Sequence, residues 1–218
     1  MSEWDATRAD LGTRRDAARA MGGPDKLERH HGRGKLDARA RIARLLDSGT
    51  FTEIGTLVGQ VPADGVVTGH GLIDGRPVMV GAEDFTVLGG SIGAGSSAKR
   101  YRIAELAGQE RVPLVMLLEG AGHRPPLPDE AKSGRAPIDL QQQARLSGRV
   151  PVVTAVMGSS AGHGALIAPL SDFSVMTAQV GQCADDGRPE IGLDLEEGSA
   201  IDQPAHDMTH VVDLGVVA

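Results

Sequence analysis

The chain has 218 residues, 40% hydrophobic and 23% charged, with a formal net charge of −7. That composition fits a folded globular protein of one or two domains and excludes a disordered one. Five aromatic residues (Trp4, Phe51, Phe85, Tyr101 and Phe173) exclude a stacking platform for single-stranded nucleic acid, and the lone Cys183 excludes an internal disulfide or a multi-cysteine zinc site. Apolar runs of about seven residues fall short of a membrane span. The start, Met1 to Asp5, is polar and acidic, unlike a cleavable signal, so the expected compartment is the cytoplasm.

Charge is unevenly placed. Residues 1–46 hold eleven Lys/Arg against seven Asp/Glu, residues 47–179 ten against thirteen, and residues 180–218 one against nine. A basic start suits an anionic ligand such as a phosphate, although a solvated helical face has the same signature. The whole-chain balance does not support nucleic-acid binding.

In chain order, residues 1–20 read as a helix with little apolar face, broken by Gly22-Gly23-Pro24. Asp37 caps a helix running to about Leu46, with Ile42, Leu45 and Leu46 on one side. Thr50 to Ile54 reads as a short strand. Val66–Ile73 and Pro77–Val80 flank Asp74-Gly75, a hairpin turn. A glycine loop (Gly89, Gly90, Gly93, Gly95) precedes a helix opened by Ser96 and Ser97 and reaching about Gln109. Leu114–Leu118 and Val152–Met157 read as buried strands, residues 138–147 as a helix and Phe173–Met176 as a third strand. The alternation predicts a layered α/β domain. Two glycine turns, Gly120-Ala121-Gly122 and Gly158 to Gly164, fall at the carboxyl ends of strands, where open α/β sheets place ligands.

Three motif readings compete. Gly158-Ser159-Ser160-Ala161-Gly162 fits a hydrolase elbow with Ser160 as nucleophile, and Asp194 with His206 or His210 follows in the right order. Gly93-x-Gly95-x-x-Ala98, with Glu119 at a following strand end, fits a loose dinucleotide fingerprint, or a helix-opening loop whose amides cradle another phosphate. Gly122 and Gly162 fit a pair of backbone oxyanion sites, where glycine lets an N–H approach the negative oxygen of a thioester enolate. Two merely tight turns would read the same way.

Longer ordered stretches carry a resemblance. These are Gly32 to Ile42, Leu45 to Phe51, Asp64 to Gly69, Asp74 to Val78, Asp84-Phe85-Thr86-Val87-Leu88-Gly89-Gly90-Ser91 and Ser171 to Met176. Over residues 22–178 the chain resembles the N-terminal half of the carboxyltransferase β subunit of biotin-dependent acyl-CoA carboxylases, of the propionyl-CoA and acetyl-CoA type. The resemblance implies a crotonase-like α/β fold, a ββα superhelix with N-terminal helices, and an acyl thioester of coenzyme A as substrate. It implies that carboxybiotin, brought by a partner carrier protein, delivers CO2 to the α-carbon, and that the released biotin takes the α-proton. Opposing backbone sites would hold the two enolates.

By position, Gly162 and His163 match the glycine pair of the second turn, and Ala121 and Gly122 that of the first. Lys99 and Arg100, with Arg33 and Lys35, are the candidates for the coenzyme A phosphates, and no metal is expected. The implied partners are a biotin carboxylase and carrier subunit, and a second carboxyltransferase half or identical β subunits in a homo-oligomer. The expected organisation is a helical extension over 1–21, the carboxyltransferase domain over 22–179, and a divergent acidic tail over 180–218, truncated or poorly ordered. His163 stands where the family has glycine, which suits a structural role, altered substrate choice or acid/base chemistry. That histidine also fits a biotin-independent decarboxylase or hydratase of the same fold. An inactive fragment or assembly partner is the remaining expectation.

Overall fold

The computed structural model describes residues 3–128 and 138–177. Three helices come first: α1 (Glu3–Arg19), α2 (Pro24–His31) and α3 (Ala38–Leu45). The break at Gly22-Gly23-Pro24 is real, but Pro24 also opens α2, which the sequence reading did not anticipate. Proline suits the first turn of a helix because its missing N–H has no partner there anyway. Leu27 is the one aliphatic side chain in α2, so the segment has no apolar period to find. The cap of α3 is as expected: the Asp37 side chain accepts from Ala40 N–H at 2.9 Å.

A six-stranded sheet follows, ordered as the chain runs: β1 (Thr52–Ile54), β2 (Val66–Ile73), β3 (Arg76–Glu83), β4 (Leu114–Gly120), β5 (Val152–Ser160) and β6 (Phe173–Met176). The first three strands pair antiparallel, and β3 through β6 pair parallel. The β2–β3 hairpin turns at Asp74-Gly75, both with positive φ. Asp47 holds it, its two carboxylate oxygens accepting from Asp74 N–H at 3.1 Å and Gly75 N–H at 2.8 Å.

Parallel strands need crossovers. α4 (Ala94–Glu110) links β3 to β4, α5 (Asp139–Ala144) lies in the link from β4 to β5, and the short α6 (Gly162–Ala165) lies in the link from β5 to β6. One core fills the space between sheet and helices: Ile103, Ala104 and Ala107 of α4 meet Leu114, Met116 and Leu118 of β4, with Leu146, Val152, Val156 and Ile167. Fully burying such a Leu or Ile stabilises by roughly 1.5–3 kcal/mol. All seven residues of β4 are buried, and its first five, Leu114 to Leu118, read as an unbroken apolar run. Among the described residues no helix is long and apolar enough to cross a membrane.

Candidate functional site

The carboxyl ends of β3 and β4 carry a layer of buried charge beneath the two glycine turns. Glu83 ends β3 and Glu119 lies near the end of β4; each is 1% exposed. Such carboxylates need partners to stay ionised in a core. Glu119 pairs with Arg41 through one oxygen and with Lys35 Nζ through the other at 2.5 Å. Glu83 pairs with Arg100 and accepts from the Glu119 backbone N–H at 2.6 Å. The same Glu83 lies under both turns: a Cβ on Gly120 would stand 3.0 Å from one oxygen, and a Cβ on Gly164 3.1 Å from the other. The two turns are thus seated on one pair of ion-paired carboxylates.

The turns also touch each other. Gly122 has φ +81° and Gly162 φ +56°, backbone that L-residues rarely adopt. A Cβ on Gly122 would stand 2.9 Å from the Ala161 carbonyl oxygen and 3.5 Å from Gly162 Cα. Ala161 N–H donates to Gly120 O at 3.0 Å, and Ile92 N–H to Gly122 O at 2.7 Å. Gly162 and His163 open α6, where backbone N–H groups have no i−4 carbonyl inside the helix. Of the first turn's pair, the Ala121 N–H already donates to Gly89 O at 2.9 Å.

Two imidazoles border the turns. His123 and His163 meet edge to face with ring centroids 4.5 Å apart. His163 Nε2 lies 2.7 Å from Oδ1 of buried Asp139. Burial, then the neighbouring His163, pushes His123 below its ordinary value, with Asp139 opposing.

Two of the basic candidates are corrected by burial. Lys99 is 4% exposed, and its ammonium donates to Ala63 O at 2.8 Å and to Val66 O. Arg100 is 3% exposed and committed to Glu83. Neither presents charge to a phosphate; both lie on the core-facing side of α4. Lys35 is committed to Glu119. Arg33 is exposed and shares a cavity of about 250 Å³ with Lys26, Arg29, Phe85 and Gly89, whose carbonyl accepts from the Ala121 amide. Lys26 and Arg29 lie on α2, the helix missed in the sequence. The Asp84-to-Ser91 signature builds this wall: Phe85 stacks on His30 at 6.3 Å, and Thr86 Oγ1 accepts from Gly22 N–H at 3.0 Å.

The dinucleotide reading fails at the start of α4. Asp64 Oδ2 accepts from Ser96 N–H at 2.5 Å, and Asp64 Oδ1 accepts from Arg124 Nη2 at 2.5 Å. A Cβ on Gly93 would collide with the Arg124 guanidinium, and one on Gly95 would stand 2.8 Å from Asp64. These glycines admit the protein's own carboxylate and guanidinium, so the anion position at this helix start is filled from within. Asp64, Glu83 and Asp139 escaped the sequence reading because single acids carry no spacing signal.

The elbow reading fails as well. Ser160 is the last residue of β5, paired with Gly120, and the left-handed turn comes two residues later at Gly162. Its Oγ is buried with no hydrogen-bond partner, so no base reaches it among the described residues. Asp194, His206 and His210 lie outside the described residues, as does the expected tail over 180–218. Among the described residues no group of three or more His, Cys, Asp or Glu is arranged to hold a metal ion.

Comparison with known proteins gives a coherent set. Residues 29–212 match the carboxyl transferase domain model, running on past the 22–178 span of the resemblance. The chain is 34% identical over 219 residues to a propionyl-CoA carboxylase carboxyltransferase subunit of Haloferax mediterranei, covering 95% of this chain and 42% of that protein. It is 34% identical over 213 residues to a methylmalonyl-CoA decarboxylase subunit alpha of Propionigenium modestum, covering 92% and 41%. A transcarboxylase 12S crystal structure, a hexamer with methylmalonyl-coenzyme A and methylmalonic acid bound, superposes with a TM-score of 0.71 at 32% identity, covering 82% of this chain and 37% of that one. A Pseudomonas malonate decarboxylase hetero-dimer matches with a TM-score of 0.55 at 31% identity, covering 66% and 63%. The chain spans about two fifths of the length of these curated relatives.

Proposed function

The chain belongs to the carboxyl transferase domain family, and on that premise we propose that residues 22–179 form the thioester-holding half of a biotin-dependent acyl-CoA carboxyltransferase. The observation that carries this reading is the contact between the two glycine turns at the ends of β4 and β5, which leaves the Gly162 and His163 amides at a helix start. Those amides accept the negative oxygen of the enolate formed when the α-carbon of a short acyl-CoA, acetyl or propionyl, becomes nucleophilic. Backbone donors suit that task because they are already oriented, and Glu83 beneath both turns keeps them so.

Arg33, Lys26 and Arg29 face the coenzyme A phosphates from the cavity that begins at Gly89, beside the first turn. Carboxybiotin, carried by a partner protein of the biotin carboxylase and carrier type, supplies CO2. A second carboxyltransferase half or a further copy of the chain faces the turns and completes the second enolate site. The work is assigned to the cytoplasm. The decarboxylase names among the relatives fit the same enolate, reached by loss of CO2 instead of its gain.

The test is carboxyl transfer to propionyl-CoA in the complex reconstituted with the second half and carboxybiotin. Gly162→Val puts a β-branched residue at φ +56°, which it cannot follow without turning the amide away, and lowers turnover about 10²–10³-fold, the cost of losing one oxyanion donor. Ser160→Ala leaves it within about twofold, because the buried hydroxyl has no role in the step. Unchanged turnover in the first variant, or abolition in the second, overturns the reading.

A further inference from the structure

Each glycine turn continues into a histidine: Gly122-His123 after β4 and Gly162-His163 after β5. The rings stand edge to face, planes at 89°. Of the two, His163 has a carboxylate behind it among the described residues. Asp139, the first residue of α5, is 3% exposed and holds His163 Nε2 through Oδ1 at 2.7 Å; its other oxygen is buried without a hydrogen-bond partner. An ionised carboxylate only accepts, so Nε2 carries the proton in this pair. That fixes the tautomer of the neutral ring. Nδ1 is then the lone-pair nitrogen, and covalent geometry puts it on the side of the ring nearer its own main chain, where the Gly162 and His163 amides lie. His123 packs against the ring and opposes a flip, which would take Nε2 off Asp139 and turn Nδ1 to the opposite edge. A base with a fixed lone pair, an imidazolium-stabilising carboxylate behind it and oxyanion donors beside it form a complete set for proton abstraction next to a carbonyl.

We propose that His163, positioned by Asp139, moves a proton between its Nδ1 and the α-carbon of an acyl thioester bound at the second turn, so that this domain exchanges α-hydrogens with solvent in the absence of biotin. The inference rests on the thioester reading above. In the forward step Nδ1 takes the α-proton, the C–H electron pair passes into the enolate, and the negative oxygen is held at the Gly162 and His163 amides. Asp139 stabilises the imidazolium so formed. In the return step the ring, having exchanged its proton with water, gives one back to the α-carbon, and both partners are restored without any co-reactant.

The experiment uses the full chain with propionyl-CoA in D2O without biotin, reading deuterium at the α-carbon by proton NMR, with calorimetry reporting thioester binding in parallel. The wild-type chain incorporates deuterium. His163→Gly loses at least about 100-fold in rate, in line with a removed general base, and added free imidazole restores part of it. His163→Asn, checked for folding by circular dichroism, shows the same loss without rescue. Asp139→Asn slows exchange about 10–100-fold and shifts the His163 ring tautomer in 15N spectra. Bound propionyl-CoA with no exchange in the wild type, or equal exchange in wild type and His163→Gly, overturns this inference alone. Absence of thioester binding overturns the thioester reading, and this inference with it.

Discussion

Replacing Gly122 with alanine tests the contact on which the site depends. The substitution forces an L-residue to φ +81° and places its methyl 2.9 Å from the Ala161 carbonyl oxygen. Neither side can step aside freely, because Ala161 N–H is bound to Gly120 O and Gly122 O accepts from Ile92 N–H. Left-handed backbone costs an L-residue roughly 1–2 kcal/mol, and forcing a methyl into filled space adds about 1–3 kcal/mol. Gly148 separates the two effects. It has φ +70° with nothing within 4 Å of an added Cβ, so Gly148→Ala carries the backbone cost alone. Urea denaturation of the full chain should show Gly122→Ala losing at least about 1 kcal/mol more than Gly148→Ala, the low end of the packing cost. Equal losses would mean that the turns do not press on each other, and the oxyanion geometry would lose its support.

Two further outcomes follow from buried charge. Asp64→Asn leaves Arg124 without its carboxylate and should cost about 3–5 kcal/mol in the same assay; a loss below about 1 kcal/mol, the level of an exposed pair, would show that the pair is solvated. Burial pushes the Lys99 ammonium from 10.5 down to about 8. Between those values the unfolded chain holds more protons than the folded one, so stability rises with pH across that window. The rise is at most roughly 3 kcal/mol, reduced by the Ala63 and Val66 carbonyls that accept from the ammonium. Unfolding free energies at pH 8, 9 and 10 should climb in the wild type relative to Lys99→Met, and a constant difference would refute the shift.

The layered α/β order was legible because its signals are local and periodic, whereas the crotonase-like arrangement was implied by the family resemblance alone. Leu114 to Leu118 reads as a buried parallel strand since every side chain there is apolar, and Asp74-Gly75 reads as a hairpin since few other pairs accept two positive φ values. α2 was missed because a helix with Leu27 as its lone aliphatic residue is held by its proline start and by His30 against Phe85, a contact from 55 residues away. At the site, Gly122 and Gly162 could be read as turns, but not as turns in contact, since the strand register that joins them is set by the sheet. Lys99 and Arg100 misled for the same reason. Position on a helix gives a charge but not the face it occupies, and that face is decided by Glu83, Ala63 and Val66 from other elements. Asp139 gave no signal at all, because its meaning depends on His163, 24 residues further on.

The carboxylate of Asp64 at the start of α4 has a consequence for how the molecule meets its ionic surroundings. That positive helix end is satisfied by a group with 0% exposure, beyond the reach of mobile ions. Dissolved salt therefore has little to screen there. Lys26, Arg29 and Arg33 line an open cavity, where a Debye length of about 8 Å at physiological ionic strength thins their attraction for any anion. On the proposed reading of that cavity, raising salt should weaken capture of a phosphorylated ligand there while leaving the start of α4, held by buried Asp64, undisturbed.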